Sequence, residues 1–478
     1  MHSIDLIVFV IYFSCMLGVG FYFYRKNKTD DDYYVGGRKM TAGHIGLSVV
    51  ATDVGGGFSI GLGGLGFTMG LSGSWMLFTG LIGAWLSSAF LIPKVYQTAK
   101  DQKMLSFPQA LKHYYNPKVA LIAGVISLIG YIGFTSSQIL AGAKLATATF
   151  STASSEFTLF NAVIIMGLIA VVYTVIGGLK AVIYTDSIQW MVLLIGLIGI
   201  GIPLGFIKIG GWEGLSSSVQ VEMLRLDNLS WSQFVNWFIT IVPIWFVGMT
   251  LYQRIYACNS QKTAVKAWRI AAIFEWPLMA FMGVLLGLFA KVAFDQGMFT
   301  EFGFSPENPI DAEMGLPLFL SKMLPIGLMG IMLSAYFSAI LSTADSCLMA
   351  ASGNLTTDIL SASNKNAKSS IKKSQLITLL LGLFAILLAL QMQNVLELML
   401  HSYAFMVSGL FVPVLAMLIL KQPSSIAAIF SMLIGGFTTL TLMLLSYDLP
   451  FQLDPNFFGI TLSAITFFFI QKFIHKPT

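Results

Sequence analysis

Apolar runs of about 20 residues follow one another along this chain with only short polar intervals, and that repetition decides the fold class before any motif is read. Of 478 residues, 56% are hydrophobic and 10% charged, whereas a soluble domain carries roughly 25% charged residues. An all-α integral membrane protein is therefore expected, with about 13 transmembrane helices near 4–24, 44–70, 74–98, 119–147, 157–178, 180–207, 232–256, 267–293, 325–355, 374–391, 395–420, 424–446 and 456–474. The first run follows a nearly uncharged start and lacks a small-residue cleavage site, so a retained anchor is expected.

Charge gives the orientation. With the N-terminus outside and the C-terminus cytoplasmic, the inner loops collect about 22 of the 27 basic residues, and Glu301, Glu307, Asp311 and Glu313 fall together in one outer loop. The formal charge of +5 is spread over short loops, which argues against a nucleic-acid surface. The cysteines Cys15, Cys258 and Cys347 have no CxxC or Cys/His spacing, so neither disulfides nor a thiolate metal centre is expected. The five histidines are dispersed, and no nucleophile–base pair appears; the chain is read as no enzyme.

Three intramembrane features carry chemistry. Ala51-Thr52-Asp53-Val54-Gly55-Gly56-Gly57 puts a carboxylate and three glycines where lipid-facing backbone must be helical, so it implies a buried cavity or ion site. Glycines also serve close helix packing, and that reading stands beside the first. In the ninth run Ser338, Ser342, Asp345 and Ser346 fall at i, i+4, i+7 and i+8, a stripe of hard oxygen donors; a single hydroxyl could equally bond back to its own helix. Asp186 opens the sixth run, either as a solvated helix-start residue or on an ion path.

Leaving the first run aside, runs two to six and seven to eleven enter from opposite sides, the arrangement of an inverted repeat (44–207 and 232–420), with 4–24 and 424–474 as additional helices around one transport domain. The first helix of each set carries helix-weakening residues: Gly55–Gly57 in one, Pro243 and Gly248 in the other. Glu275, in the eighth run, is expected to form a structural ion pair with Arg254 or Arg269, with proton binding as the other reading.

These residues resemble the sodium/solute symporter family over nearly the whole chain. The likeness rests on Asp31-Asp32-Tyr33-Tyr34-Val35-Gly36-Gly37-Arg38 and Ala51-Thr52-Asp53. It continues through Tyr173-Thr174-Val175-Ile176-Gly177-Gly178-Leu179-Lys180-Ala181-Val182, Thr185-Asp186-Ser187-Ile188-Gln189 and Ser342-Thr343-Ala344-Asp345-Ser346. The resemblance implies a LeuT-type inverted five-helix repeat with flanking helices. It implies a sodium site made of the carbonyls of Ala51, Val54 and Ala339 with the hydroxyls of Ser342 and Thr343. A second ion, or a proton, would map onto Asp186, Ser342, Asp345 and Ser346. Asp53 resembles the proline-permease branch, where an aspartate here supports sodium coupling. The implied solute pocket takes Gly57, Phe58 and Gly61, Ser74 and Trp75, Phe134, Ser137 and Gln138, and Trp245. The fourth run lacks the mid-span arginine of the sialic-acid branch, and Gly248-Met249 replaces the sugar branch's Asp-Gln.

The expectation is thus a sodium-coupled symporter importing a small polar organic solute, such as an amino acid or organic acid, by alternating access. Its partners would be sodium, the solute and the lipid bilayer, without an organic cofactor or obligate protein partner, in the cell membrane and most simply a bacterial inner membrane. A proton-coupled carrier using Asp53 or Asp345, and a transporter-like membrane sensor, are the other readings of the same residues.

Overall fold

A computed structural model describes residues 2–26, 30–150, 158–360, 371–445 and 447–473, and side chains at most of these; the described chain is helical, with two isolated β-bridges. In chain order the helices are α1 (Ser3–Lys26), α2 (Ala42–Met69), α3 (Trp75–Leu86, continued by Ile92–Asp101), α4 (Pro117–Phe150), α5 (Leu159–Gly196, continued by Ile202–Lys208), α6 (Trp231–Val247) and α7 (Met249–Ala257). They continue with α8 (Gln261–Ile273), α9 (Ala280–Asp295), α10 (Ala312–Met323), α11 (Leu328–Gly353), α12 (Ile371–Ala389), α13 (Val395–Ile419), α14 (Ser425–Leu445) and α15 (Pro455–Phe473).

Among the described residues, nine helices are long and apolar enough to cross a membrane, or ten when α6 and α7, bent by 43°, count as one span. Two shorter apolar helices, Ser3–Met16 and Leu159–Val175, occupy other expected runs. The bend falls at Gly248, whose ψ of 114° leaves the helical region.

Burial orders the helices from centre to rim. The window on Leu328–Leu360 is 94% buried, against 33% for α14 and 28% for α15, so α11 is the axis of the bundle and the last two helices present their apolar faces outward. A helix buried all round must handle its polar side chains internally, and α11 carries Ser338, Ser342, Thr343, Asp345 and Ser346, all of them buried. Around it stand α2, α4, α5 and α1, with α13 against α4 and α9 against α2. The α2–α9 approach is very close: a Cβ on Gly287 would lie 2.0 Å from the Gly63 carbonyl oxygen, so only glycine fits.

Candidate functional site

Gly55 breaks α2. Its φ of 35° and ψ of −158° belong to no helix, and a conformation this far from the right-handed regions falls to glycine, which has no Cβ to clash. Space imposes the same choice, because a Cβ there would meet Thr343 Oγ1 at 2.5 Å. The break releases N–H and C=O groups that need partners. Gln138 Oε1 on α4 accepts from the N–H of Gly56 (2.8 Å) and of Gly57 (3.3 Å), and Ser59 Oγ donates to the Gly55 carbonyl (2.6 Å).

On the other side of the break, Thr343 Oγ1 lies 2.8 Å from the Ala51 carbonyl oxygen and 3.2 Å from that of Ala339. Three oxygens of the implied sodium shell thus converge where α2 and α11 touch. Ser342 turns instead to Asp186, donating to Oδ1. The side chains of Val54 and Phe58 lie outside the described set.

The second implied group is assembled around a residue that the motif reading did not place there. Asp186 is fully buried, so it is no solvated helix-start residue. Ser48 Oγ donates to its Oδ2 at 2.5 Å, and the fully buried Arg254 guanidinium stands 3.6 Å from the same oxygen. Arg254 also donates to Ser48 Oγ (3.0 Å), Ser346 Oγ (3.0 Å), the Thr250 carbonyl (3.2 Å) and Thr52 Oγ1. Asp345 Oδ1 accepts from Thr174 Oγ1 at 2.5 Å, and its Oδ2 has no partner among the described residues.

The expected ion pair of Glu275 with Arg254 or Arg269 is therefore corrected: among the described residues neither arginine reaches it. The chain kinks at Trp276 (φ −144°, ψ 128°), and the buried Glu275 faces Asp53 while Arg254 is taken by Asp186. Among the described residues, no other donor reaches either Glu275 oxygen or Asp53 Oδ2. Ser48 and Thr52, four residues apart on α2, share the face that Arg254 reads; that i, i+4 spacing was the signal available in the sequence.

The residues assigned to the solute pocket divide. Gly57 packs toward Gln138 and Met399, and the Phe134 ring meets Tyr403 edge-on at 4.9 Å, so α2, α4 and α13 gather Gly57, Phe134 and Gln138. Ser137 Oγ donates back to the Phe134 carbonyl (2.8 Å) and accepts from Gln138 Nε2 (3.2 Å). Gly61 lines a separate cavity of about 420 Å³ with Gly64, Trp237, Glu313, Glu397 and His401. Trp75 sits apart, donating to the Leu226 carbonyl (2.8 Å) and stacking on Trp276. Trp245 is packed between Gly83 and Trp268. Ser74 is buried, and its hydroxyl has no partner among the described residues.

Above the cavity, Lys144 pairs with Asp311 (2.5 Å) and Glu313 (2.6 Å). Glu313 also accepts from the Val395 and Leu396 N–H groups at the start of α13, both at 2.9 Å. A carboxylate at a helix N-terminus is favourably placed. Burial pushes the neighbouring Asp454 carboxyl above the usual carboxylate range, offset in part by His401.

A polytopic helical bundle whose interrupted helix sets backbone carbonyls beside a hydroxyl-bearing partner, with a cavity that reaches Gly61 of the same helix, is the architecture of a secondary transporter. Residues 33–435 match the Sodium:solute symporter family, and the chain belongs to it. It is a membrane-spanning sodium-coupled transporter and not an enzyme. Curated relatives include the sodium/proline symporter of Escherichia coli (strain K12), 25% identical over 98% of this chain and 93% of that protein. The high-affinity proline transporter PutP of Bacillus subtilis (strain 168) is 25% identical over 97% of each chain. The human sodium/myo-inositol cotransporter 2 is 28% identical over 74% of this chain and 56% of its own. Among solved structures, a substrate-bound outward-open Na+-coupled sialic acid symporter superposes with a TM-score of 0.81 at 21% identity, covering 100% of this chain and 99% of that one. The fold is accordingly the LeuT-type one that the resemblance implied.

Proposed function

We propose that the chain imports a small amino or organic acid, with proline the first solute to test, by binding sodium at the carbonyls of Ala51, Val54 and Ala339 and the hydroxyls of Ser342 and Thr343. The observation that carries this reading is the break at Gly55, where Thr343 Oγ1 already bridges the Ala51 and Ala339 carbonyls. A hydroxyl that bridges two carbonyls marks a spot where a cation would replace its proton as their common partner. Hard oxygens with no full charge in the shell suit an alkali ion that must also leave. The named relatives include two proline carriers aligned over nearly their full length, which favours that solute class.

The solute would lie between Gly57, Phe58, Phe134, Ser137 and Gln138. There Gln138 Oε1 is engaged with the α2 backbone, and Nε2, already donating to Ser137 Oγ, has its second N–H for the solute. Gly61 would face its approach, whereas Ser74, Trp75 and Trp245 would shape the surrounding wall. Asp53 and Glu275 would tune the electrostatics of the break. The two repeats would run over 44–207 and 232–420, with the N-terminus outside, the C-terminus cytoplasmic and the chain in a bacterial inner membrane. No protein partner is needed for this cycle.

Sodium ordering the break would raise solute affinity, and by linkage the solute would tighten sodium binding by the same factor. The membrane potential supplies about 2.3 kcal/mol per charge per 100 mV. Uptake of labelled proline and a panel of amino and organic acids into proteoliposomes tests the proposal. Accumulation is expected with an inward sodium gradient and not with potassium; equal uptake in both would refute it.

A further inference from the structure

The second sodium position implied by the resemblance, at Asp186, Ser342, Asp345 and Ser346, does not fit an ion in this chain. Three of its four side chains, Asp186, Ser342 and Ser346, are committed to hydrogen bonds with one another, with Ser48 or with Arg254. Asp186 Oδ1 accepts from Ser342 and Oδ2 from Ser48. Ser346 Oγ accepts from Arg254 Nη2 at 3.0 Å; Asp345 accepts from Thr174 through Oδ1, and its Oδ2 has no partner among the described residues. A positive charge also already stands beside Asp186 and Ser346, since the Arg254 guanidinium lies 3.6 Å from Asp186 Oδ2 and 3.0 Å from Ser346 Oγ, with neither Arg254 nor Asp186 exposed.

A guanidinium stays protonated in proteins and is less strongly hydrated than a compact ammonium ion, so it can sit in a dry pocket among hydroxyls. Its contacts to Ser48, Thr52, Thr250 and Ser346 satisfy four of its five N–H groups. A sodium ion entering here would meet a like charge within a few ångströms at low dielectric and would find Asp186 already neutralised.

We propose that Arg254 is a tethered cation that takes the place of the second sodium ion, so that this chain binds a single sodium per cycle, at the Ala51, Ala339 and Thr343 oxygens. The inference rests on the sodium reading of that site. Because the guanidinium belongs to α7, the substitution also ties the second broken helix to α2 through Ser48 and Thr52, to α5 through Asp186 and to α11 through Ser346. A diffusible ion would leave those four elements free to part; an arginine moves with one of them.

Equilibrium binding of sodium-22 to the purified full chain tests this. The wild type is expected to hold one sodium per chain. Arg254→Ala, which frees Asp186 and Ser346, is expected to hold one more than the wild type. The double variant Arg254→Ala with Asp186→Asn, lacking the carboxylate, is expected to return to the wild-type count. Two ions in the wild type would overturn the inference, as would equal counts in the wild type and a folded Arg254→Ala. Should Arg254→Ala not fold, the wild-type count decides alone, one ion supporting and two overturning it. A wild type binding no sodium would refute the Thr343 site; gain of an ion by Arg254→Ala would even then uphold the tethered cation, and no gain would overturn it.

Discussion

Thr343 concentrates the ion chemistry in one hydroxyl. Its Oγ1 touches the carbonyls on both sides of the interface, and its methyl and hydroxyl fill the space that Gly55 leaves open. Thr343→Ala should remove one sodium ligand while preserving the fold, and a contact to a charged partner is worth about 1.5–3 kcal/mol. Sodium affinity should therefore fall about 10- to 100-fold, whereas Thr343→Ser should stay within a few-fold of the wild type. Sodium titration of solute binding measures both, and an unchanged midpoint in Thr343→Ala would remove this residue from the site. Local spacing made part of the site legible, setting Ser342 on a stripe of hydroxyls with one carboxylate and Gly55 beside Asp53, whereas Thr343 entered only through the family resemblance. The Arg254–Asp186 pair was not legible. Both charges were visible, but which carboxylate an intramembrane arginine chooses depends on how α5 and α7 dock, and the same uncertainty misassigned Glu275.

The two interruptions are held by a single helix. Gln138 on α4 caps the half-helix after Gly55, and Tyr131, seven residues earlier and so on the same face, accepts from the Thr250 N–H at 3.1 Å beyond the bend at Gly248. Each cap replaces the water that a membrane interior withholds. Leaving a buried N–H unpaired costs about 1–3 kcal/mol. Tyr131→Phe, which orphans one, should lower thermal stability in detergent less than Gln138→Leu, which orphans two. Melts of the purified variants would show it, and an unshifted Gln138→Leu would mean that the breaks are satisfied elsewhere. The interruptions themselves could be read from Gly55–Gly57 and Gly248, since helix-weakening residues leave a local mark. Their caps could not, because a glutamine or tyrosine in an apolar run announces a partner without naming it.

Across the whole molecule, one end of the bundle is open and the other is tied. The cavity of about 420 Å³ opens beneath α10, and Lys144 with Glu313 fixes that helix against α4 and the start of α13. At the far side of the Gly55 break, Arg254 joins α2, α5, α7 and α11. The positive-inside pattern would put the cavity end outside, because the loop around Glu301–Glu313 is acidic whereas α8 carries Lys262, Lys266 and Arg269. Labelling can check that assignment. Of the three cysteines, Cys15 is exposed and Cys258 and Cys347 are buried, so a cysteine-free background comes first. In intact cells a membrane-impermeant maleimide should then label Ala312→Cys at the cavity rim and spare Asn259→Cys on the exposed turn after α7. Permeabilisation should expose the second site. Labelling in the reverse order would invert the orientation, and with it the direction in which the sodium gradient drives the solute.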